Sequence, residues 1–237
     1  MNIAIVGAGR AGTSFANALA PRGHSIQVVH HDELATIGAV DLVLLAVPDD
    51  EIAALAGRLP VEPSRVVAHV AGSRTLAVLA PHPRVASLHP LITMPNGDLG
   101  ARRLVGATFV VAGDPIARDL VASLDGRARS LGSEARTAYH AAATVAANHL
   151  VALLGHVGRL AEAAGLTLED FTPLSAMALA DVAAMGPRDA LTGPASRGDV
   201  ATIDAHLAAI PERERELYVA LAREAFELAE ERSRSLA

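Results

Sequence analysis

Three polar side chains stand out on an otherwise apolar stretch: His140, Thr144 and Asn148 fall at i, i+4 and i+8 within a run of Ala, Val and Leu. On a helix that spacing makes one polar stripe, and an asparagine on an apolar helix needs a hydrogen-bonding partner. An amide can orient and polarise a carbonyl or imine, and a histidine can deliver a proton near neutral pH. Two further candidates come from the first half of the chain. His89 is followed by Pro90, which fixes its loop, and Ser73 lies in Ala71-Gly72-Ser73. Both follow apolar runs that read as strands, 84–88 and 65–70, so parallel strands would bring them to one sheet edge. His69, inside the earlier run, reads as a satisfied, partly buried histidine. Arg197, in Leu191-Thr192-Gly193-Pro194-Ala195-Ser196-Arg197-Gly198-Asp199, is a forked cation in a loop of small residues, suited to a carboxylate or a phosphate. His149 and His156 fall on other helix faces and carry no expectation.

The elements that must position these groups begin at the chain start. The run Ile3-Ala4-Ile5-Val6 leads into Gly7-Ala8-Gly9-Arg10-Ala11-Gly12 and then a helical pattern through Leu19. In this strand–turn–helix context the G-x-G-x-x-G spacing implies a dinucleotide site: Gly7 makes the turn, Gly9 admits the pyrophosphate, Gly12 lets helix and strand pack, and the helix N-terminus faces the phosphates. A second strand, 25–30, ends in His30 where an acidic residue would serve the ribose of NAD; with Arg10 nearby, His30 favours NADP, and NAD is the alternative, with Asp32 on the ribose. The buried run 41–47 ends at Val47 and Pro48, beside the expected cofactor crevice. Asp49 or Asp50 is expected to cap the following helix. Residues 107–112 read as a last strand. From Ala135 onward only helical periodicity is found, including 137–164, 168–185 broken at Thr172-Pro173, 200–209 capped by Asp199, and an amphipathic 212–233. The expected organisation is an α/β chain: a dinucleotide-binding domain with a parallel sheet over 1–136, then an all-α domain over 137–237 for substrate and dimerisation.

Composition narrows the classes. Half of the 237 residues, 51%, are apolar and 19% are charged, enough to bury a core without disordered tails. The absence of cysteine excludes disulfides, thiolate zinc and a cysteine nucleophile, and fits a cytoplasmic setting. No metal site is expected. A net charge of -6 without a basic stripe argues against nucleic acid. The N-terminal apolar run is too short for a membrane span and is consumed by the glycine turn. The alanine-rich helical half is more apolar than one sheet domain can cover, so a homodimer through residues after Thr137 is expected.

Taken together, the GAGRAG turn, Val47-Pro48-Asp49, Ser87-Leu88-His89-Pro90-Leu91, the Tyr139-His140-Ala141-Ala142…Asn148 helix and Leu191-Thr192-Gly193-Pro194…Arg197-Gly198-Asp199 are similar to the Rossmann-like proteins with a C-terminal helical domain of unknown function 2520. The resemblance covers essentially the whole chain. It implies kinship with pyrroline-5-carboxylate reductase, ketopantoate reductase, the 3-hydroxyacid dehydrogenases and 6-phosphogluconate dehydrogenase, which place a helical domain against a nicotinamide. In the 3-hydroxyacid dehydrogenases a catalytic lysine precedes an asparagine by four positions; here Thr144 holds that place. The His89-Pro90 pair is similar to one in prephenate dehydrogenases whose histidine contacts substrate. The expected function is NADP-dependent hydride transfer to a small carboxylate-bearing carbonyl or imine, ketopantoate-like or pyrroline-carboxylate-like. Asn148, His140, His89 and Ser73 are the expected catalytic residues, Thr144 and Arg197 the substrate-binding ones. A dinucleotide-binding sensor without catalysis is the alternative.

Overall fold

The computed structural model describes residues 1–236 and divides them into two compact units, 1–147 and 148–237 as bounded by their internal contacts. Within the first unit the start of the long helix is tied to the sheet by Arg136 and Tyr139.

The first unit is a seven-stranded sheet in the order β2-β1-β3-β4-β5-β6-β7, with β1 Asn2–Val6, β2 Ser25–Val29, β3 Leu42–Leu45, β4 Val66–His69, β5 Val85–Pro90, β6 Thr108–Gly113 and β7 Arg127–Ser130. The strands from β2 to β5 are parallel, β6 runs antiparallel to β5, and β7 is parallel to β6. The mostly parallel sheet followed by helices is the expected α/β organisation. One expectation is corrected: 107–112 is not the last strand, because β7, Arg-Ala-Arg-Ser, is a polar edge without the apolar alternation that marks a buried strand.

Alternate residues of each strand feed opposite faces. Ile3 and Ile5 pack with Phe15 and Leu19 of α1 (Arg10–Leu19), with Leu104 of α3 (Gly97–Leu104) and with Leu120 and Val121 of α4 (Ile116–Ser123). Ala4 and Val6 pack on the other face with Ile52, Leu55 and Ala56 of α2 (Ile52–Arg58). Burial on both faces explains the unbroken apolar runs of β1 and β3. The helix α5 (Arg136–Thr144) follows β7.

Chain geometry changes at the unit boundary. Val145–His149 forms a π-helical turn before α6 (Leu150–Ala163). The expected uninterrupted stripe of His140, Thr144 and Asn148 assumed one α-helical period throughout, and that period breaks in this turn. The run Ser133–Ala163 is also long and apolar enough to cross a membrane by length and composition. Its alanine content accounts for that, and its first turns carry the buried Arg136 and the hydrogen-bonded Tyr139.

The second unit holds α6, α7 (Leu168–Met185), α8 (Pro187–Ala190), α9 (Val200–Ala209) and α10 (Glu212–Leu236). Pro173 lies within one continuous α7 rather than splitting it, and α7 starts with a capping box in which Thr167 and Asp170 satisfy each other's backbone N–H. Asp199 caps α9 as expected, accepting from the Thr202 amide at 3.0 Å. Its core is sparse: among the described residues of this unit only Ala161, Ala195, His156 and Glu214 are buried.

Candidate functional site

The glycine turn has the geometry a phosphate cradle needs. Gly7 adopts φ +106°, a left-handed conformation that disfavours side chains, and a Cβ there would stand 2.6 Å from the Ala46 carbonyl. A Cβ on Gly12 would lie 1.8 Å from the Gly7 carbonyl, so helix and turn pack only without one. Gly9 is different: nothing lies within 4 Å of its Cβ position. It flanks α1 with no side-chain cap, and no acidic residue occupies the first turn. Thr13 and Ser14 turn their hydroxyls back to the Gly9 and Arg10 carbonyls at 2.8 and 2.6 Å. The free amides of the first turn are thus left for an anion. Arg10 and His30 are exposed, the first on α1 and the second just past β2, and Val47 and Pro48 follow β3. These residues fit a dinucleotide with its phosphates on α1.

At the same edge of the sheet, the ends of β4 and β5 meet the start of α5. His89 is a residue of β5 itself, paired in register with Val110, rather than of the loop after it. Its Nδ1 lies 2.5 Å from the Tyr139 hydroxyl, the rings meeting edge to face at 5.6 Å and 84°. His140 approaches the same ring at 6.1 Å. Gly72 makes room for both: a Cβ there would be 2.6 Å from His140 Nδ1 and 2.9 Å from His89 Nε2. Ser73, following Gly72, donates its hydroxyl to Asp49 Oδ2 at 2.5 Å. Asp49 therefore does not cap α2, whose flanking residue is Glu51 and which has no side-chain cap.

The electrostatics depend on Arg136. Arg136 is 2% exposed, and its guanidinium donates to Ser87 Oγ at 2.7 Å and to the Ala71 and Gly72 carbonyls at 3.3 and 3.4 Å. It forms no ion pair with a carboxylate among the described residues. Burial pushes His89 down to about 4, and the neighbouring His140 and Arg136 push the same way. His69 is fully buried and likewise held at about 4, by burial first and Arg136 second. The expectation of a satisfied, partly buried His69 is corrected: neither ring nitrogen has a hydrogen bond of normal geometry. Burial raises the Tyr139 phenol to about 12, while the charge of Arg136 pulls it back. With a value of about 4, His89 is neutral at pH 7.

Thr144 ends α5 and is partly buried; Asn148 is exposed in the π turn, at the head of the second unit. In that unit Arg197 is exposed in the 3-10 turn Ala195–Arg197. It lines a cavity of about 480 Å³ with Ser196, Gly198, Phe226 and Arg234, and it has no ion pair among the described residues. Arg232 secures that loop by donating to the Leu191 carbonyl at 3.2 Å and the Ser196 carbonyl at 3.4 Å. His156, expected to be unremarkable, is buried against Glu214 at 2.7 Å. Sequence reasoning missed Arg136, Tyr139 and the role of Asp49. The signal available for Tyr139 was its place in the Tyr139-His140 motif, one of only two tyrosines in the chain.

Comparison with known proteins extends these observations. Residues 108–225 match the profile of a domain of unknown function, DUF2520. The chain carries a DUF2520 domain. The matched segment begins in β6 and ends within α10, so it contains Arg136, Tyr139, His140, Thr144, Asn148 and Arg197, while the glycine turn, Ser73 and His89 precede it. No curated protein sequence matches the chain. Among solved structures, a Bacteroides fragilis protein named as a candidate NADP oxidoreductase is 21% identical with a TM-score of 0.78, covering 95% of this chain and 98% of that one. A Thermotoga maritima protein is 23% identical with a TM-score of 0.74, over 97% and 98%. A reductive aminase from Aspergillus terreus, crystallised with NADPH and ethyl levulinate, is 16% identical with a TM-score of 0.68, over 97% and 94%. Identities this low speak to the fold alone, a sheet unit followed by helices over nearly the full length of both chains.

Proposed function

We propose that the protein is an NADP-dependent reductase that passes a hydride to a small carbonyl or imine bearing a carboxylate. The observation that carries this reading is the turn at Gly7, Gly9 and Gly12, open only at Gly9, on the same sheet edge as Ser73, His89 and Tyr139. Gly7, Gly9 and Gly12 would hold the pyrophosphate, Arg10 and His30 a 2′-phosphate, with NAD the alternative, and Val47 and Pro48 would flank the cofactor. Bound there, the nicotinamide supplies the hydride, and the protein has to orient the acceptor and stabilise the charge that develops on its oxygen or nitrogen. In this reading His140, His89, Ser73 and Thr144 of the first unit serve the acceptor beside the cofactor, while in the second unit the Asn148 amide is of a kind that polarises a carbonyl or imine and Arg197 of a kind that holds a carboxylate. The NADP oxidoreductase and reductive aminase names among the structural neighbours support the same class. A cytoplasmic setting belongs to this reading and suits a chain without cysteine.

The assembly in this reading is a homodimer through the helical unit. None of the 18 residues of α7 is buried, and Leu174, Met177, Leu179 and Met185 are between 52% and 61% exposed. Apolar surface on that scale supports an interface, here with a second copy.

A non-catalytic dinucleotide-binding sensor is the second reading, favoured by one observation: the chain contains no lysine, and His69 and His89 are both held neutral. Calorimetric NADPH binding, followed by NADPH oxidation against 2-oxo acids and cyclic imine carboxylates, separates the two. Binding with oxidation is expected; binding without oxidation of any acceptor selects the sensor; no binding overturns both.

A further inference from the structure

We propose that Tyr139 is the general acid of this site, with the His89 imidazole as hydrogen-bond donor to its oxygen and the buried Arg136 guanidinium as the positive charge that supports its phenolate. This deepens the reductase reading and rests on it. The geometry comes first. Tyr139 is half-buried, and its hydroxyl is held 2.5 Å from His89 Nδ1. Arg136 precedes it by three residues, so both project from the same face of α5, and the guanidinium is anchored by Ser87 and the Ala71 and Gly72 carbonyls rather than neutralised by a carboxylate. The groups acting on the phenol are thus His89 from β5 and Arg136 from α5; His140 in turn faces His89, and Asp49, which acts on His89 from further away, is engaged by Ser73.

The chemistry requires such a donor. In a chain without lysine, and with His89 and His69 neutral, a phenol that keeps its proton up to about 12 is charged with a transferable proton at every physiological pH. In carbonyl reduction the hydride, two electrons and one hydrogen, would reach the acceptor carbon from a reduced nicotinamide dinucleotide held at the glycine turn, and the residues here would have to supply the proton. The carbon–oxygen π bond opens, its electron pair takes the Tyr139 proton, and the Tyr139 O–H bond breaks to leave a phenolate. With His89 as the Nδ1–H tautomer, that phenolate accepts its hydrogen bond and faces the charge of Arg136; solvent then returns the proton. An alkoxide is a far stronger base than a phenolate, so the transfer runs downhill. The second Tyr–His pair of the molecule, Tyr218 with His206 at 2.6 Å, has the same edge-on geometry. Among the described residues its neighbourhood holds no such buried cation.

The test starts without substrate. In a Tyr218→Phe background, Tyr139 is the sole tyrosine, and its ionisation is read from tyrosinate absorbance in the ultraviolet. The midpoint is expected near 12 and to rise when Arg136 becomes Met or His89 becomes Phe, while Arg136→Lys restores it in part. A midpoint that neither substitution moves overturns the proposal, whether or not a probe acceptor is turned over. With ketopantoate and a cyclic imine carboxylate as probes, Tyr139→Phe is expected to lower turnover on the oxo acid by on the order of a hundredfold at unchanged NADPH affinity. Undiminished turnover in Tyr139→Phe overturns Tyr139 as the acid and leaves the reductase reading standing; loss of NADPH binding by the parent protein overturns that reading and this proposal together.

Discussion

Each unit buries histidine beside arginine, and the two treat the charge in opposite ways. In the second unit Glu214 is fully engaged: His156 Nδ1 at 2.7 Å, Arg159 through two contacts at 2.7 and 3.0 Å, and Arg213 at 3.1 Å. Those bonds hold the carboxyl at about 2, the Arg159 pair first and His156 second, and they join α6 to the start of α10. In the first unit Arg136 has carbonyls and a hydroxyl but no carboxylate, and His69 and His89 are pushed neutral around it. A closed network is what a structural joint needs. An uncompensated buried cation among perturbed titratable groups is costly to the fold and is the pattern found where charge must develop in a reaction.

The sharpest way to break this comparison is at Glu214. Glu214→Gln removes the one acceptor shared by three donors and leaves His156 and two guanidinium groups facing a neutral amide. Of the substitutions considered, this one is expected to lower the melting temperature most. A variant that melts with the parent protein would show that the joint does not hold the helical unit together.

Acid separates the two regions next. His69 and His89 have folded values of about 4 against an ordinary 6.5, so their neutral forms favour the fold. That contribution is complete above about pH 6.5 and is lost as pH falls from 6.5 toward 4, on the order of 3 kcal/mol for the fully buried His69. Glu214 has a depressed value, about 2 against 4.5, so its contribution is present above 4.5 and is lost as pH falls from 4.5 toward 2. The sheet unit is therefore expected to weaken in the higher window and the helical unit in the lower. Thermal unfolding followed across both windows, with histidine and helix signals resolved by NMR, checks the order; simultaneous loss in the lower window alone would break it.

How much of this was written in the sequence depends on the range of the interaction. The glycine turn was legible because its spacing and its strand–turn–helix context lie within one short stretch, and Gly7 and Gly12 do sit where a Cβ would clash, Gly12 against the nearby Gly7 carbonyl and Gly7 against the distant Ala46 carbonyl. Buried strands were legible as apolar runs, whereas β7 was not, because an exposed edge of Arg-Ala-Arg-Ser carries no burial pattern. The antiparallel β6 was equally hidden, since strand direction is set by how α3 returns the chain and not by the strand's own residues. Ser73 and His89 were placed at the correct sheet edge from strand order. Tyr139 and Arg136 were not found, since their partners Ser87 and His89 are 49 and 50 residues away and an alanine-rich helix gives no reason to expect either contact. Asp49 looked like a cap because caps are local, while its actual donor, Ser73, is 24 residues on.

A smaller effect is expected at Gly72, where the comparison turns on space rather than charge. Gly72→Ala puts a methyl 2.6 Å from His140 Nδ1 and 2.9 Å from His89 Nε2, and both obstacles are side chains that can shift. Overpacking of this kind costs about 1–3 kcal/mol. The fold should survive while the His89–Tyr139 contact loosens, read as a change in the His89 ring signals by NMR. Unchanged signals would mean that the histidines were never in close register with this glycine.

The smallest effect on stability is expected at Arg136, and it is the one that decides what the difference between the units means. In an ion-paired site, deleting the cation strands an anion and is expensive; at Arg136 there is no anion to strand. Arg136→Met keeps the length and apolar volume of the side chain, gives up hydrogen bonds to Ser87 and to two carbonyls that sit at long range, and removes the desolvation penalty of the guanidinium of a residue that is 2% exposed. Losses and gain oppose each other, so the net change should fall within about 1 kcal/mol of the parent protein, and stabilisation is an allowed result. The histidines respond differently. With the charge gone, the part of the depression that Arg136 causes in His69 and His89 disappears and both titrate at higher pH, while the larger part due to burial stays. Denaturant unfolding and an NMR histidine titration on one preparation give both quantities. A large loss of stability with unmoved histidines would make Arg136 a joint like Glu214, and the sheet unit would then hold no uncompensated charge to explain.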